Sequence, residues 1–338
     1  MKKYTTIKDI AKYLGLSTST VSRALNDSWE INSETKAKVL ETAKLLNYRP
    51  NLIAQNLQHK SSGVIGLVIP EFTSGFFPRI ILGIQDVLYE ENYQLLITQS
   101  NESLENELQN LCLLEGNMVE GILLSITREG SNAEEYRRII DSGIPIVFFN
   151  RVCPHTKASK VIVDDRKMAF QAVEHLIKSG CKRIMHLTGP RNLPLTEERK
   201  AGYLDALKKY EYKIDENYIV EAGVLMEKGV MAMEKFLSSG YNIPDAIFAF
   251  NDPVAIGAMN VIKKNNLRIP DDIALVGFSE DQLASVVDPP LTSVVQPNYE
   301  MGKVAAKLLI EQIKSPLKSN LSLVRLDATL NIRASSSR

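Results

Sequence analysis

Along the first fifty residues the apolar positions recur at helical spacing. Ile7, Ile10, Ala11 and Leu14 stand at i, i+3, i+4 and i+7, a stripe that ends where Gly15 supplies a permissive turn position. Ser17 suits the N-cap of a second helix, in which Val21, Ala24 and Leu25 face inward while Thr18, Ser19, Ser22 and Arg23 lie outside. A third helix starts at Asn32-Ser33-Glu34-Thr35, carries Val39, Ala43 and Leu46 on one face, and stops before Tyr48-Arg49-Pro50. Three short helices, one pair joined by a tight glycine turn, predict an all-α helix-turn-helix headpiece over residues 1–50.

From Val64 the pattern changes to short, continuously apolar runs. Strands are predicted over 64–70, 93–99, 121–126, 145–150, 161–165, 183–189, 218–222, 246–251, 273–278 and 292–296. Helical stretches separate most of them, at about 77–91, 102–116, 132–142, 166–179, 196–210, 227–238, 253–266 and 299–314. Continuous rather than alternating apolar strands, interleaved with helices, indicate parallel sheets covered on both faces. Ten strands suit two doubly wound sheets better than one very wide one, so residues 64–338 predict a two-lobed α/β core. The N-lobe is expected at about 64–161 and 293–324, the C-lobe at about 162–292 and 325–338. Ligands of such sheets sit beyond the carboxyl ends of the strands, here in the cleft between lobes. Residues 51–63 read as a hinge helix and linker, too short to hold helical form in water unless something packs on it.

A formal net charge of zero argues against a nucleic-acid partner until it is divided. Residues 1–60 hold ten basic and five acidic side chains, and the remainder thirty and thirty-five. A small basic segment therefore sits on a large acidic one, which supplies phosphate attraction where the headpiece is and limits adhesion elsewhere. Cys112, Cys153 and Cys181 are odd in number and lack any C-x-x-C pair, so buried free thiols are expected, with neither a disulfide framework nor a metal site. The N-terminus lacks the apolar core of a signal peptide and no apolar run approaches the roughly 18 residues that span a bilayer, so the expected chain is cytoplasmic, with no membrane partner.

The chemistry concentrates first in Thr6-Ile7-Lys8-Asp9-Ile10-Ala11 and in Gly15 to Asn26. The second helix of a helix-turn-helix lies in the major groove, where short hydroxyls at Thr18 and Ser19 reach phosphate or base and Arg23 reaches guanine O6 and N7. This signature resembles that of the lactose-repressor/galactose-repressor family of bacterial transcription regulators. The resemblance extends through Tyr48-Arg49-Pro50-Asn51, Ala54, Leu57, Ile65-Gly66 and Gly75-Phe76-Phe77. It continues in Gly189-Pro190 with Arg199 ten residues after the glycine, Asn251-Asp252, Val276-Gly277-Phe278 and Pro290-Leu291-Thr292-Ser293-Val294, covering nearly the whole chain.

The resemblance implies a core like the type I periplasmic binding proteins and a homodimer that binds double-stranded operator DNA through two headpieces on pseudo-palindromic half-sites. The DNA-contacting positions carried over are Thr6, Ser17, Thr18, Ser19, Thr20, Ser22, Arg23, Asn26 and Tyr48, with Asn51, Ala54, Leu57 and Gln58 in the hinge. Leu57 matches the leucine that wedges into the minor groove, while Gln55 stands where many members have arginine. The effector positions carried over are Phe76, Phe77, Asn150, Arg199, Asn251 and Ser279, for a sugar or sugar derivative. Ser279 replaces the aspartate of many sugar-binding members and Val224 lies near a position where some present an aromatic ring, so an anionic ligand on Arg199 is also envisaged.

Catalysis finds no support. No phosphate loop, H-E-x-x-H or G-x-S-x-G is present, and His175 and His186 read as satisfied structural histidines, so neither cofactor nor enzymatic activity is expected. Two rivals stand beside the effector reading: control by a partner protein on the N-lobe, and a sugar-acting enzyme joined to a headpiece. The final residues carry no leucine heptads, which favours a dimer over a tetramer.

Overall fold

The structure, a computed structural model, describes residues 5–48, 62–73, 75–316 and 320–338. The chain divides into two compact units, Met1–Ser62 and Gly63–Arg338.

In the first unit, α1 (Ile7–Leu14), α2 (Thr18–Leu25) and α3 (Ser33–Leu45) each begin at a side-chain cap, Thr6, Ser17 and Asn32 respectively. Thr6 and Asp9 form a reciprocal capping box, and Gly15 ends α1 in the left-handed conformation with φ 66°. Ile10, Val21 and Val39 meet with no exposed surface, and burial worth about 1.5–3 kcal/mol per side chain lets so small a core hold. The Thr5 hydroxyl donates to the Leu46 carbonyl at 2.8 Å, closing the start of the bundle on its end.

The second unit contains two six-stranded sheets. The N-lobe sheet has the order β11-β5-β4-β3-β1-β2, all parallel, from β1 (Val64–Ile69), β2 (Gln94–Gln99), β3 (Gly121–Leu124), β4 (Ile146–Phe149), β5 (Ser159–Val163) and β11 (Leu323–Leu326). The C-lobe sheet has the order β12-β10-β9-β8-β6-β7, from β6 (Ile184–Thr188), β7 (Ile219–Glu221), β8 (Ala246–Ala249), β9 (Ala274–Phe278), β10 (Thr292–Val295) and the antiparallel edge strand β12 (Thr329–Asn331). Both sheets repeat one doubly wound order, and in each the direction of winding reverses beside the first strand, which opens a crevice at the carboxyl ends. The intervening helices are α4 (Phe76–Glu90), α5 (Leu104–Gly116), α6 (Ala133–Asp141), α7 (Asp165–Lys178), α8 (Pro194–Lys209), α9 (Met226–Leu237), α10 (Asp252–Lys264) and α11 (Asn298–Lys314).

All ten expected strands and eight expected helices of the core are present. β11 and β12 were outside the expectation: both are short edge strands whose residues alternate between exposed and half-buried, so neither makes the continuous apolar run of an interior strand. The lobes exchange chain later than expected. Thr292–Val295, expected in the N-lobe from residue 293, pairs with β9 of the C-lobe, and β11 keeps residues 325 and 326 in the N-lobe, because ladder pairing and not the apolar run decides where a strand belongs. Cys153 and Cys181 are buried, but Cys112 is exposed on α5, a correction to the expected burial. His186 is only half satisfied: Nδ1 meets the Phe248 carbonyl at 3.0 Å while Nε2 is buried without a partner among the described residues. No helix among the described residues is long and apolar enough to cross a membrane.

Three helix pairs approach to backbone contact through glycine. A Cβ at Gly302 of α11 would lie 2.0 Å from the Ile80 carbonyl of α4, and one at Gly83 would lie 2.0 Å from the Tyr299 carbonyl. Gly202 of α8 abuts the Arg166 carbonyl of α7 in the same way, and Gly229 and Gly257 join α9 to α10. Gly302→Ala is expected to cost about 1–3 kcal/mol in urea unfolding by overpacking. Gly116→Ala, with nothing within 4 Å at the end of α5, should be neutral or slightly stabilising.

Candidate functional site

The headpiece face is built by the caps. Ser17 Oγ accepts the Thr20 N–H at 3.0 Å and lies 2.7 Å from Ser19 Oγ and 2.8 Å from Thr20 Oγ1, so its hydroxyl orders the first turn of α2. Thr6 is likewise engaged with Asp9. Thr18, Ser19, Arg23 and Asn26 project from the exposed side, whereas Thr20 and Ser22 are half-buried. Arg23 Nη1 stands 3.0 Å from Glu30 Oε2, a pairing that the sequence pattern did not suggest. Tyr48 packs half-buried against the helical core, and burial pushes its hydroxyl upward in pKa. Asn51, Ala54, Leu57 and Gln58, with Gln55, lie outside the described residues.

The crevice at the carboxyl ends of both sheets encloses a cavity of about 440 Å³. Phe76, Phe77, Asn150, Arg199, Asn251 and Ser279 all line it. Phe77 is 2% exposed and packs edge-on against Phe76 and Phe149, so it anchors the N-lobe core while its neighbour faces the cavity. Asn150 follows β4 with φ 57°, a left-handed turn that asparagine tolerates. Asn251 is committed on both sides of its amide: its oxygen caps α10 at the Val254 N–H, 3.0 Å, and its nitrogen donates to the Val224 carbonyl at 2.8 Å. Its service is to position the wall.

Arg199 is 4% exposed and bound within the C-lobe. Nε and Nη2 each lie 2.8 Å from Asp165 Oδ1, Nη1 donates to the Phe250 carbonyl, and the guanidinium carbon stands 3.6 Å from the centre of the Phe278 ring and 4.7 Å from that of Phe250. Burial disfavours the charged forms of both Arg199 and Asp165, and their mutual attraction opposes it. The salt bridge is therefore internal to one lobe, and the arginine meets the cavity with its remaining donors.

Further residues reach the cavity from places that the sequence reading passed over. Arg151, next to Asn150, presents Nη1 to both oxygens of Glu102 at 2.8 and 2.9 Å, with both side chains almost fully buried. Gln296 is 5% exposed and its Nε2 has no hydrogen-bond partner among the described residues. Asp281 spans the cleft: its Oδ2 accepts the Gly75 N–H at 3.3 Å, at the start of α4, a helix without a side-chain cap of its own. Asp252 supports this arm, since its Oδ2 accepts the Asp281 N–H and its Oδ1 accepts the Ser293 hydroxyl, both at 2.6 Å. Burial pushes the Asp252 carboxyl up to about 7. No group of acidic, histidine or cysteine side chains that could hold a metal occurs among the described residues.

Comparison with known proteins places these observations. A model described as "Bacterial regulatory proteins, lacI family" matches residues 6–51, and one described as "Periplasmic binding protein-like domain" matches residues 173–336. The ribose operon repressor of Halalkalibacterium halodurans is 35% identical over 93% of this chain and 92% of its own length. The chain belongs to the lacI family of bacterial regulatory proteins. Another member of the family, catabolite control protein A of Priestia megaterium, is 32% identical over 98% of both chains. Among solved structures, the transcriptional regulator CelR in complex with cellobiose superposes with a TM-score of 0.75 at 28% identity, covering 98% of this chain and 99% of its own. The family assignment accounts for the headpiece signature and the paired sheets together, and its members named here are regulators and not enzymes.

Two stability outcomes follow from the cavity wall. Arg199→Ala leaves Asp165 buried without its cation and is expected to lower unfolding free energy by about 3–5 kcal/mol in urea titration; a loss well below that would mean that Asp165 is not held by this pair. Asp252 and His186, which burial pushes down to about 4, act oppositely with pH. The fold favours protonated Asp252, whose contribution is full below its ordinary value of 3.8 and lost as pH rises through about 7. It favours neutral His186, whose contribution is full above 6.5 and lost as pH falls towards about 4. The two offset each other between about 4 and 6.5, and Asp252→Asn should leave stability rising with pH over that interval, measured by urea unfolding at several pH values.

Proposed function

We propose that the protein is a cytoplasmic transcriptional repressor that binds a pseudo-palindromic operator as a homodimer and is controlled by a neutral, hydroxyl-rich small molecule, a sugar or sugar derivative, in the interlobe cavity. The observation that carries the effector reading is that buried Gln296 Nε2, without a partner among the described residues, and Arg199 line the same cavity. An unsatisfied buried donor costs free energy unless a ligand or water meets it, and a bound hydroxyl offers an acceptor. CelR is a relative solved with cellobiose, and the ribose operon repressor is named for a sugar operon, which supports the same class.

The charge of the wall argues against the anionic ligand first envisaged. Arg151 and Arg199 each already face a carboxylate of their own, and Glu71, Glu227 and Asp281 also line the space. An added anion would meet more repulsion than free cation. The Asp281 contact with Gly75 joins the lobes at the cavity wall, so a ligand that strengthens or displaces it biases lobe closure. Closure moves the N-lobes of a dimer, from which the hinge and headpieces lead, and a coupling of about 1–3 kcal/mol is enough to alter operator affinity about 5- to 150-fold.

The test is a thermal-shift screen of the full chain with neutral mono- and oligosaccharides, uronic acids and sugar phosphates, followed by operator titrations with and without each hit. A ligand present at a hundred times its Kd should add about 2.7 kcal/mol of stability, and neutral sugars are expected to supply the hits. Gln296→Leu should abolish the response with little loss of operator binding, Arg23→Ala should relax operator specificity, and Leu57→Ala should weaken the specific complex more than nonspecific binding. A Gln296→Leu protein that still responds normally would overturn the cavity assignment, and a response only to a bound partner protein would overturn the small-molecule reading.

A further inference from the structure

We propose that Glu30 sets the stringency of operator recognition by holding Arg23, a positioning role that rests on the operator-binding reading above. Arg23 is the one basic side chain of α2; its side chain is 59% exposed and its Nη1 lies 3.0 Å from Oε2 of Glu30, five residues beyond the end of the helix. The segment between them is fixed by the backbone. Asp27 turns with φ 57°, the Ser28 N–H returns to the Arg23 carbonyl at 2.9 Å, and Ser28 Oγ accepts the Glu30 N–H at 3.4 Å. Asp27 also pairs with Lys36 of α3, so the loop that carries Glu30 is tied to the bundle.

The consequence for DNA is selective. An exposed ion pair is weak in water, so a partner that satisfies the guanidinium better will displace Glu30. Guanine does so by offering O6 and N7 together to the arginine fork. A backbone phosphate offers charge, yet it must approach a carboxylate that stands beside the same guanidinium, and that repulsion opposes contact on arbitrary sequence. The headpiece otherwise carries twice as many basic as acidic side chains and attracts any duplex. Glu30 thus makes the one cation of the recognition helix available to the right base more readily than to the backbone. Trp29, the only tryptophan of the chain, is 90% exposed and adjacent, and its fluorescence reports binding at this spot without a label.

The experiment uses the full chain. The wild-type protein selects a preferred duplex from a randomised pool, and affinities for that duplex and for a scrambled one of equal composition are measured for wild type, Glu30→Gln, Arg23→Ala and the double variant. Glu30→Gln is expected to tighten scrambled binding about three- to tenfold and to steepen its salt dependence, while operator affinity changes about twofold or less. Reselection with Glu30→Gln should lose preference at the base pair that Arg23→Ala also relaxes. In the Arg23→Ala background the same substitution should alter scrambled binding by less than about twofold. Equal tightening in both backgrounds, which is what a general charge effect gives, overturns the proposal, as does an unchanged ratio of operator to scrambled affinity. A wild-type protein that selects no sequence refutes the operator reading itself, a result visible before any Glu30 variant is compared.

Discussion

The carboxyl group of Asp252 is buried with no cation bonded to it among the described residues, and the cavity wall is arranged around that fact. Such a group holds its place only by accepting hydrogen bonds, here from the Ser293 hydroxyl and the Asp281 N–H. Its Oδ1 sits where a Cβ on residue 277 would be 2.1 Å away, so glycine is required in β9. The chain then turns through Ser279 and Glu280, both at positive φ, a strained path held at its far side by the Glu280–Arg333 ion pair. What emerges from the turn is Asp281, aimed across the cleft at the opening turn of α4. One desolvated carboxyl group thereby joins the end of β9, the start of α10 and the opposite lobe.

A second regularity is that the cavity's cations, Arg151 and Arg199, are each matched by a carboxylate of the protein. Arg151 with Glu102 and Arg199 with Asp165 form one buried pair in each lobe, and the stacking of Arg199 against two phenylalanine rings fixes its plane. Paired in this way, the guanidiniums act as rigid hydrogen-bond donors and not as bare charges. Such fixed donors suit the hydroxyl-rich ligand proposed above.

Much of this was legible in the sequence because the relevant signals are local. Thr6, Ser17 and Asn32 mark helix starts by their chemistry alone, and the apolar runs mark interior strands. The six cavity residues come from a family pattern: Asn150, Asn251 and Ser279 lie just past strand ends, Phe76 and Phe77 open α4, and Arg199 lies within α8. The partners were not legible. Glu102 lies 49 residues from Arg151, Asp165 lies 34 from Arg199 and Asp281 lies 206 from Gly75, separations that only the folded sheets bring together. The edge strands β11 and β12 escaped for another reason: their residues alternate between exposed and half-buried and leave little mark in composition, unlike the edge strands β2 and β7. Nor does composition tell the exposed Cys112, on α5, from Cys153 and Cys181, which are buried in the connections after β4 and α7.

The helix pair α4–α11 bears on the order in which a nascent chain can finish folding. α4 begins at residue 76, yet the helix that seals it, backbone against backbone at Gly83 and Gly302, is not made until residue 314, and β11 completes the same sheet still later. The C-lobe sheet likewise waits for β12. The headpiece is continuous in sequence and can close as soon as it leaves the ribosome, whereas the N-lobe stands with an uncovered apolar helix face for most of translation. That interval, and not the mature fold, is when this chain most needs protection from aggregation.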